Sequence, residues 1–489
     1  MIRQTHKTVE HLRRRPLGSY RYVRLRWRVA FAVIDYVGGV LFPAARKVRG
    51  FWSGWGSRLR LSSFSRDIAK PQAATGADPN VILLIQLDHL GDAIITTTML
   101  PALRQRYPAA SIEVLAGPWN RAVFEAAPEV DRVHVSRINR FARGRLIRFA
   151  WIAAMLWWGL RLRRRRIDLG IDVRGDFPLA IVLWLCGARR RLGWASGGGG
   201  FLLTDSADYV PDRPEVESRW ALLDKLEIRP SATTDRRPRF AIAEEAHRSV
   251  LERLEAIDKR VAPTLFRNPR CHFSRSVGKV SGLRSNKRSS SEYLPWLRHP
   301  TQLAEARVGK GSHPRPLVAM HVGAGSRAKQ WPVEHWRELL GRLVVSCGAQ
   351  VVLIGGRKDR AISRKILGEL PWPGVVDWTG MLSIAESAAL LAMADVAVGA
   401  DSGPAHLAAA VDTPVVVLFS GTNHPQQWQP CGRQVTVVRR PVECSPCHRE
   451  RCPLPDHPCM RQLQPARVAA ALLDLLRTPS REAREKEFV

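Results

Sequence analysis

Carboxylates that could transfer a proton lie directly after the first predicted strand. Residues 81–85 are all aliphatic, and they run into a turn that contains Asp88, Gly91 and Asp92. In open α/β sheets, ligands bind at the carboxyl ends of the strands, so this position places Asp92 beside a substrate. There it could act as a general base toward a substrate hydroxyl. The alternative is that Asp92 or Asp88 only caps the following helix, since carboxylates are favoured at helix N-termini.

A turn rich in Gly and Ser follows another apolar segment in the second half of the chain. Residues 321–332 read His-Val-Gly-Ala-Gly-Ser-Arg-Ala-Lys-Gln-Trp-Pro. Such a turn exposes backbone N–H groups, and the side chains of Ser326 and Lys329 add a hydrogen-bond donor and a positive charge suited to a phosphate. The turn therefore predicts part of a phosphate-binding site.

A second turn of this kind lies further along the chain. Asp401, Ser402 and Gly403 follow an apolar segment and precede an apolar helix. The N-terminus of this helix favours a diphosphate, and His406 lies one turn inside the helix at the same end. A single histidine at such a position is more often a core or capping residue. Two anion-binding turns together with a carboxylate nevertheless favour one kind of substrate. In it, a nucleotide diphosphate is the leaving group, and the carboxylate acts as the base on the opposite side.

The elements that would hold these residues are the strands of two parallel sheets. Short aliphatic segments alternate with helical patterns, first from residue 81 and again from residue 317, and this alternation is typical of βαβ units. The predicted strands are at residues 81–85, 111–115, 169–173, 317–322, 351–354, 396–398 and 414–419. We therefore expect an α/β protein with two Rossmann-like domains.

Length and composition set further segments apart from these domains. A chain of 489 residues exceeds one ordinary core, which favours two domains with extensions. The predicted segments are a basic, partly apolar N-terminal extension at 1–79, a first domain at 80–263, a low-complexity connector at 264–315, a second domain at 316–478 and a charged tail at 479–489.

The chain is strongly basic, and its tryptophans and arginines cluster. The formal net charge of +32 predicts anionic partners such as phospholipid headgroups, nucleic acid or phosphorylated substrates. Residues 149–160 combine aliphatic side chains with tryptophans and run into the arginine-rich residues 161–166, which suits the interface of an anionic membrane. Residues 13–45 are a second candidate anchor. The alternative for residues 149–160 is a buried crossover helix with a basic end.

Four of the eight cysteines lie close together near the C-terminus. Cys444, Cys447, Cys452 and Cys459 form a C-x2-C-x4-C-x6-C pattern. Thiolates at this spacing are compatible with a small tetrahedral zinc site of structural importance. Disulfides or free thiols are the alternative, because the two-residue spacing occurs at only one end of the pattern.

Three of the motifs together resemble those of glycosyltransferase family 9, the lipopolysaccharide heptosyltransferases. They are Leu-Asp-His-Leu-Gly-Asp at 87–92, Lys-Gln-Trp-Pro at 329–332 with His335 and Trp336, and Asp-Ser-Gly-Pro-Ala-His-Leu at 401–407. The resemblance covers residues 80–260 and 315–478. It implies the GT-B fold, in which two Rossmann-like domains face each other across a cleft that holds the active site.

The resemblance also implies roles for the candidate site residues. It makes Asp92 the catalytic base, Lys329 the phosphate-binding lysine, and residues 401–406 the loop that holds the donor sugar and diphosphate. Asp359 lies where the family often has an acidic residue that binds the ribose. Gln86 stands where many members have a basic residue. Because the family inverts the anomeric carbon without a metal, no cofactor is expected for catalysis.

The function implied is transfer of a sugar from a nucleotide sugar. The expected donor is ADP-heptose, and the expected acceptor is a lipopolysaccharide-type glycolipid or another envelope glycan. The chain is expected to be cytoplasmic, peripheral on the anionic inner membrane, and not to bind nucleic acid. Two alternatives stay open: a GT-B enzyme with another donor, and a non-catalytic protein that binds anionic surfaces or nucleic acid on a degenerate GT-B fold. Against the second, the chain retains Asp92, Lys329, Asp401 and His406.

Overall fold

The fold is seen in a computed structural model, which describes residues 32–38, 78–137, 145–265, 315–369 and 372–477. The predicted N-terminal extension, connector and tail therefore lie almost wholly outside the described residues. The chain divides into two compact units, residues 1–241 and residues 242–489. Each unit contains one six-stranded sheet.

The first unit is built on a parallel sheet with the strand order β3-β2-β1-β4-β5-β6. Its strands are β1 (Val81–Gln86), β2 (Ser111–Ala116), β3 (Arg132–Val135), β4 (Leu169–Asp172), β5 (Arg190–Trp194) and β6 (Asp205–Ala207). Its helices are α1 (residues 32–38), α2 (Leu90–Thr96), α3 (Leu100–Arg106), α4 (Arg121–Glu125), α5 (Arg145–Leu162), α6 (Phe177–Leu185) and α7 (Glu215–Asp224).

The second unit repeats this topology. Its sheet is also parallel and has the order β12-β11-β10-β7-β8-β9. Its strands are β7 (Leu317–His321), β8 (Gln350–Ile354), β9 (Val375–Asp377), β10 (Val396–Ala400), β11 (Val415–Phe419) and β12 (Val435–Arg439). Its helices are α8 (Glu244–Leu265), α9 (Val333–Gly341), α10 (Arg360–Leu367), α11 (Ile384–Met393), α12 (Gly403–Ala410), α13 (Pro425–Trp428), α14 (Pro458–Arg461) and α15 (Pro465–Arg477).

The central strands are aliphatic because helices cover both faces of each sheet. All five residues of β7, of β8 and of β10 are buried, as are the last five residues of β1. In a parallel sheet both strand faces meet helices, so such strands are continuous apolar runs. On one side of the first sheet, Met155 and Trp158 of α5 pack with Leu83 and Ile85 of β1. This burial stabilises the unit by about 1.5–3 kcal/mol for each large apolar side chain.

Each sheet has one position where the strand order reverses, and this position defines the site. In the first unit it lies between β1 and β4, and in the second between β7 and β10. Chain connections diverge at such a switch point, which leaves a crevice at the carboxyl ends of the two strands. The predicted site residues Asp92, Lys329 and Asp401 all follow one of these four strands.

The prediction of an α/β protein with two Rossmann-like domains is confirmed, and every predicted strand is present. Strands β3, β5, β6, β9 and β12 were not predicted. Helix α8 packs on α11 within the second unit, although most of it precedes residue 263, the predicted end of the first domain. Among the described helices, none combines the length and the apolar character that a bilayer crossing requires.

Candidate functional site

The turn after β1 is held by the side chain of Gln86. Its amide N–H donates to the backbone oxygen of Asp92 at 3.0 Å and to Oγ1 of Thr96 at 2.8 Å, and its Oε1 accepts from the N–H of Asp88 at 3.3 Å. Gln86 is fully buried, so these bonds satisfy an amide that would otherwise destabilise the core. Gln86 therefore fixes the turn that carries Asp92.

Asp92 lies in the first turn of α2 next to a buried arginine. Nη2 of Arg219 is 3.8 Å from Oδ1 of Asp92, and its Nη1 donates to Oε2 of Glu215 at 2.9 Å. Glu215 and Arg219 are four residues apart on α7, and Arg219 is almost wholly buried. Arg219 therefore places a guanidinium group beside the carboxylate of Asp92.

Asp88 faces a different group at the same switch point. Its carboxylate is buried and forms an ion pair with Arg174, and Nε of Arg174 also donates to Asp176 at 2.6 Å. The N-cap residue of α2 is His89, and the helix has no side-chain capping hydrogen bond there. Neither carboxylate is the N-cap residue, but the charge of Asp92 in the first helical turn suits the helix dipole, so the alternative that it serves the helix N-terminus stays open.

In the second unit, the turn after β7 brings Lys329 to Asp401. Nζ of Lys329 is 2.6 Å from Oδ2 of Asp401, and Nδ2 of Asn423 donates to the same oxygen at 2.8 Å. Asp401 follows the last residue of β10 and is 5% exposed. Two of the predicted site residues are thus in direct contact at the switch point, and Asn423 joins them from the turn after β11.

His321 connects this cluster to two further predicted residues. Its Nδ1 is 3.3 Å from Oγ of Ser402, and its Nε2 is 3.9 Å from Oδ2 of Asp359. Burial lowers the pKa of His321 to about 4 although nearby Asp359 opposes the shift, so the ring is neutral at pH 7. Asp359 is itself buried and accepts from the N–H of Gly356 at 2.8 Å. A Cβ atom on Gly323 would lie 2.4 Å from Cγ of Asp359, so only glycine allows this close approach.

Ser326 and Gly403 lie at the starts of two short helical segments. Ser326 precedes the turn Arg327–Lys329, and its carbonyl accepts from the N–H of Lys329 at 3.1 Å. Gly403 is the first residue of α12, which has no side-chain cap at its N-terminus. Pro404 has no N–H group, and the N–H of Ala405 donates to the carbonyl of Ser402 at 3.1 Å, so at this end of α12 the N–H of Gly403 is the one placed to bind an anion.

His406 is buried one turn inside α12. Its Nδ1 has no hydrogen-bond partner among the described residues, which is costly for a buried polar atom unless a ligand completes it. Burial lowers its pKa to about 4, and the nearby charge of Asp401 only partly opposes this shift. The ring is therefore neutral at pH 7 and can both donate and accept a hydrogen bond.

The neutral state of His406 makes stability depend on pH. An unfolded histidine takes up a proton near pH 6.5, whereas folded His406 resists protonation down to about pH 4. The unfolded state then binds more protons in this range, so we expect the free energy of unfolding to fall as the pH is lowered from about 6.5 to 4. Urea unfolding at several pH values measures this slope. His406→Gln should reduce it, the exposed control His247→Gln should not, and equal slopes would contradict the assignment.

The cysteine-rich residues 444–459 brace the turn that carries Lys329. The N–H of Ala328 donates to the carbonyl of Glu450 at 3.0 Å, and Nε2 of His457 is 3.1 Å from the carbonyl oxygen of Ala328. Both backbone groups of the residue before Lys329 are therefore bound by this segment. Its role in the structure is to position the lysine.

The four predicted zinc ligands are free thiols. Burial raises the pKa of the Cys459 thiol, and the neighbouring Cys452, Cys444 and Cys447 raise it further, so the four side chains lie near one another. Across the described ranges, however, no group of three or more His, Cys, Asp or Glu side chains is arranged to hold a metal ion. The structural zinc site stays a prediction, and free thiols stay the alternative.

Sequence reasoning missed several residues of the site. They are Arg174, Glu215, Arg219, His321 and Asn423. His321 and Asn423 follow the strands β7 and β11, and the rule that ligands gather at strand ends could have found them. Arg219 has no such signal, because it is one of many arginines and lies 127 positions from Asp92 in a helix of mixed polarity.

Comparisons with known proteins agree with this geometry. The model of the family "Glycosyltransferase family 9 (heptosyltransferase)" matches residues 279–457. Lipopolysaccharide heptosyltransferase 2 of Escherichia coli K12 is 25% identical over 368 residues, which cover 73% of this chain and 87% of that protein.

Two solved structures have the same fold. The ADP-heptose lipopolysaccharide heptosyltransferase II of E. coli is 22% identical, with a TM-score of 0.57 over 81% of this chain and 98% of that one. A family 9 glycosyl transferase from Veillonella parvula is 18% identical, with a TM-score of 0.58 over 81% of this chain and 97% of that one. The family match, the curated relative and the GT-B fold show that the chain is a glycosyltransferase similar to those of family 9.

Proposed function

We propose that this chain transfers heptose from ADP-heptose to a lipopolysaccharide-type acceptor, with inversion at the anomeric carbon. The names of the relatives support this choice of donor and acceptor, since one is lipopolysaccharide heptosyltransferase 2 and another is described with ADP-heptose. The proposal gives Asp92 of the first unit the role of general base and gives the second unit the donor.

The observation that carries the proposal is the cluster at the switch point of the second sheet. Lys329 provides a positive charge, and the uncapped N-terminus of α12 provides the backbone N–H of Gly403. The buried ring of His406, which lacks a partner at Nδ1 among the described residues, provides a polar group for the donor. These groups match the needs of a sugar linked to a diphosphate. The remaining proposed donor-binding residues are Ser326, Asp359, Asp401, Ser402 and Gly403.

The proposed reaction is a single displacement. The acceptor hydroxyl oxygen bonds to the anomeric carbon while the bond from that carbon to the diphosphate breaks, and the bonding electron pair leaves with ADP. Asp92 accepts the hydroxyl proton. Because glycosyl transfer passes through an oxocarbenium-like state, charge grows on the leaving diphosphate, and Lys329 with the N–H of Gly403 stabilises that charge without a metal. We propose that this takes place on the cytoplasmic side of the inner membrane.

A donor panel tests the proposal. We expect calorimetric titration with ADP-, GDP-, UDP- and CDP-sugars to show selective binding of ADP-heptose, and mass spectrometry to show one heptose added to a heptose-deficient lipopolysaccharide. Turnover should persist with excess chelator. Selective binding of another nucleotide sugar would favour a GT-B enzyme with a different donor. Failure of a folded sample to bind any of them would favour the non-catalytic alternative.

A further inference from the structure

Helix α5 has apolar side chains on the side that faces away from the protein. Met155, Trp158 and Leu162 pack into the core of the first unit. On the opposite side Ile152, Leu156, Trp157 and Leu160 are 47%, 43%, 52% and 51% exposed. Such a helix would normally place polar residues toward water. A contiguous group of large exposed apolar side chains indicates a surface that is covered by a partner.

Arginines continue the same side of the helix. Arg161 follows Trp157 by four residues and so extends the exposed side by one turn, and Arg164 lies in the short 3-10 turn Arg163–Arg165 that directly follows α5. Both are exposed, and Cζ of Arg161 lies 5.0 Å from the centre of the Trp157 ring. We call these six residues the α5 face: Ile152, Leu156, Trp157, Leu160, Arg161 and Arg164.

The charge of this helix decides what kind of partner fits. From Arg145 to Arg166 every charged residue is an arginine, and there is no Asp or Glu. A protein partner usually presents charges of both signs, whereas a phospholipid surface presents uniform negative charge. Tryptophan rings lie well at headgroup depth, and arginines beside them bind the phosphates.

We infer that the α5 face docks the first unit onto an anionic phospholipid surface. The helix lies flat on it, because its opposite side is fixed to the β-sheet core. Helix α1 adds a second apolar group to the same unit: Val33, Tyr36 and Val37 are exposed, while Oδ1 of buried Asp35 accepts from the N–H of Gly199 at 2.7 Å. The inference rests on the proposed function, because a glycolipid acceptor would be embedded in this surface.

Vesicle sedimentation of the full chain tests the α5 face. The probes are vesicles of phosphatidylethanolamine with phosphatidylglycerol and vesicles of phosphatidylcholine alone. The apolar variant carries Ile152→Ser, Leu156→Ser and Leu160→Ser, and the charge variant carries Arg161→Glu and Arg164→Glu. We expect each to lower the partition coefficient on anionic vesicles by about tenfold or more, and binding of the natural protein to fall with added salt.

Matched controls use the same substitutions elsewhere. Met381→Ser changes an exposed apolar residue of the second unit, and Arg236→Glu reverses an exposed charge. Both should bind vesicles like the natural protein. Thermal unfolding shows whether each variant is folded, and since the substituted side chains are exposed, we expect unchanged or higher stability.

Three results would overturn the inference. One is a partition coefficient on anionic vesicles that is the same for both α5 variants as for the natural protein. Another is binding of the natural protein to phosphatidylcholine vesicles as strong as its binding to anionic vesicles. The third is a variant that loses self-association without lipid, which would make a second copy of the chain the partner. A failure of the proposed function is distinguishable, because heptose transfer to a detergent-dispersed acceptor should be the same in the α5 variants and the natural protein. Absence of transfer in all of them would count against the function and not against the docking face.

Discussion

Replacing Asp92 by Asn is expected to lower kcat by about 10²- to 10⁴-fold, the usual contribution of a general base. The substitution keeps the size of the side chain but removes its ability to accept a proton. Because the proposed donor-binding groups lie in the second unit, the dissociation constant for ADP-heptose should stay the same. Steady-state kinetics with calorimetry of the donor measures both quantities.

The choice of control follows from the position of Asp92. Asp224→Asn is the same substitution on an exposed residue of the first unit, and it should leave kcat unchanged. Removing the Asp92 charge also leaves Arg219 paired with Glu215, so the loss of kcat should not coincide with unfolding. Unchanged turnover in Asp92→Asn would rule out the base, and a weakened donor affinity would assign Asp92 to binding instead.

Lys329→Ala is expected to weaken donor binding by about tenfold or more, since a hydrogen bond to a charged group contributes about 1.5–3 kcal/mol. It should also lower the free energy of unfolding by about 1–3 kcal/mol, between the values for exposed and buried ion pairs. The reason is that buried Asp401 loses its cationic partner. Calorimetry and urea unfolding separate the two effects.

A double variant distinguishes binding from folding. Asp401→Asn added to Lys329→Ala removes the unpaired negative charge, so stability should recover while donor affinity stays low. Lys365→Ala, which removes an exposed lysine of α10, is the control for loss of positive charge. If the double variant regained donor affinity together with stability, Lys329 would be a structural residue and not a phosphate ligand.

The sequence predicts the central strands and misses the outer ones for a physical reason. Strands β1 and β7 are buried on both faces and are therefore aliphatic throughout. Strand β3 lies at the edge of its sheet and contains Arg132 and His134, and β6 is the three-residue segment Asp205–Ala207. Short edge strands with polar residues have no hydrophobic period from which to predict them.

Buried charges are the second limit of sequence reasoning. Glu113 lies within β2 and is fully buried, where a lone carboxylate would be unfavourable. Burial raises its pKa, but hydrogen bonds from His134 and Arg165 outweigh this and lower it to about 2. His134 is 21 positions and Arg165 is 52 positions away in the chain. Pairings at such separation depend on the register of the sheet, which no local pattern contains.

The same limit applies to the candidate site. Motifs predicted Asp92, Lys329 and Asp401, because each follows a strand in a recognisable turn. That Lys329 contacts Asp401 depends on the neighbouring positions of β7 and β10, which are separated by most of a domain in sequence.

For residues 149–160, the membrane interpretation and the crossover-helix interpretation are each partly right. Helix α5 is a crossover helix with a buried side, and its other side is apolar and exposed.

The strand order has a consequence for how the chain folds during synthesis. In each sheet the first strand to be synthesised, β1 or β7, lies in the centre. One of its edges pairs with the next strand, β2 or β8, while the other edge has no partner until β4 or β10 is synthesised. In the first unit Ile82 pairs with Leu169, and in the second His321 pairs with Gly399, so the waiting edge stays open until a whole helical crossover has left the ribosome. An open strand edge next to apolar surface is a template for misassociation. Slow translation between residues 87 and 168 would therefore lengthen the most aggregation-prone stage of biogenesis.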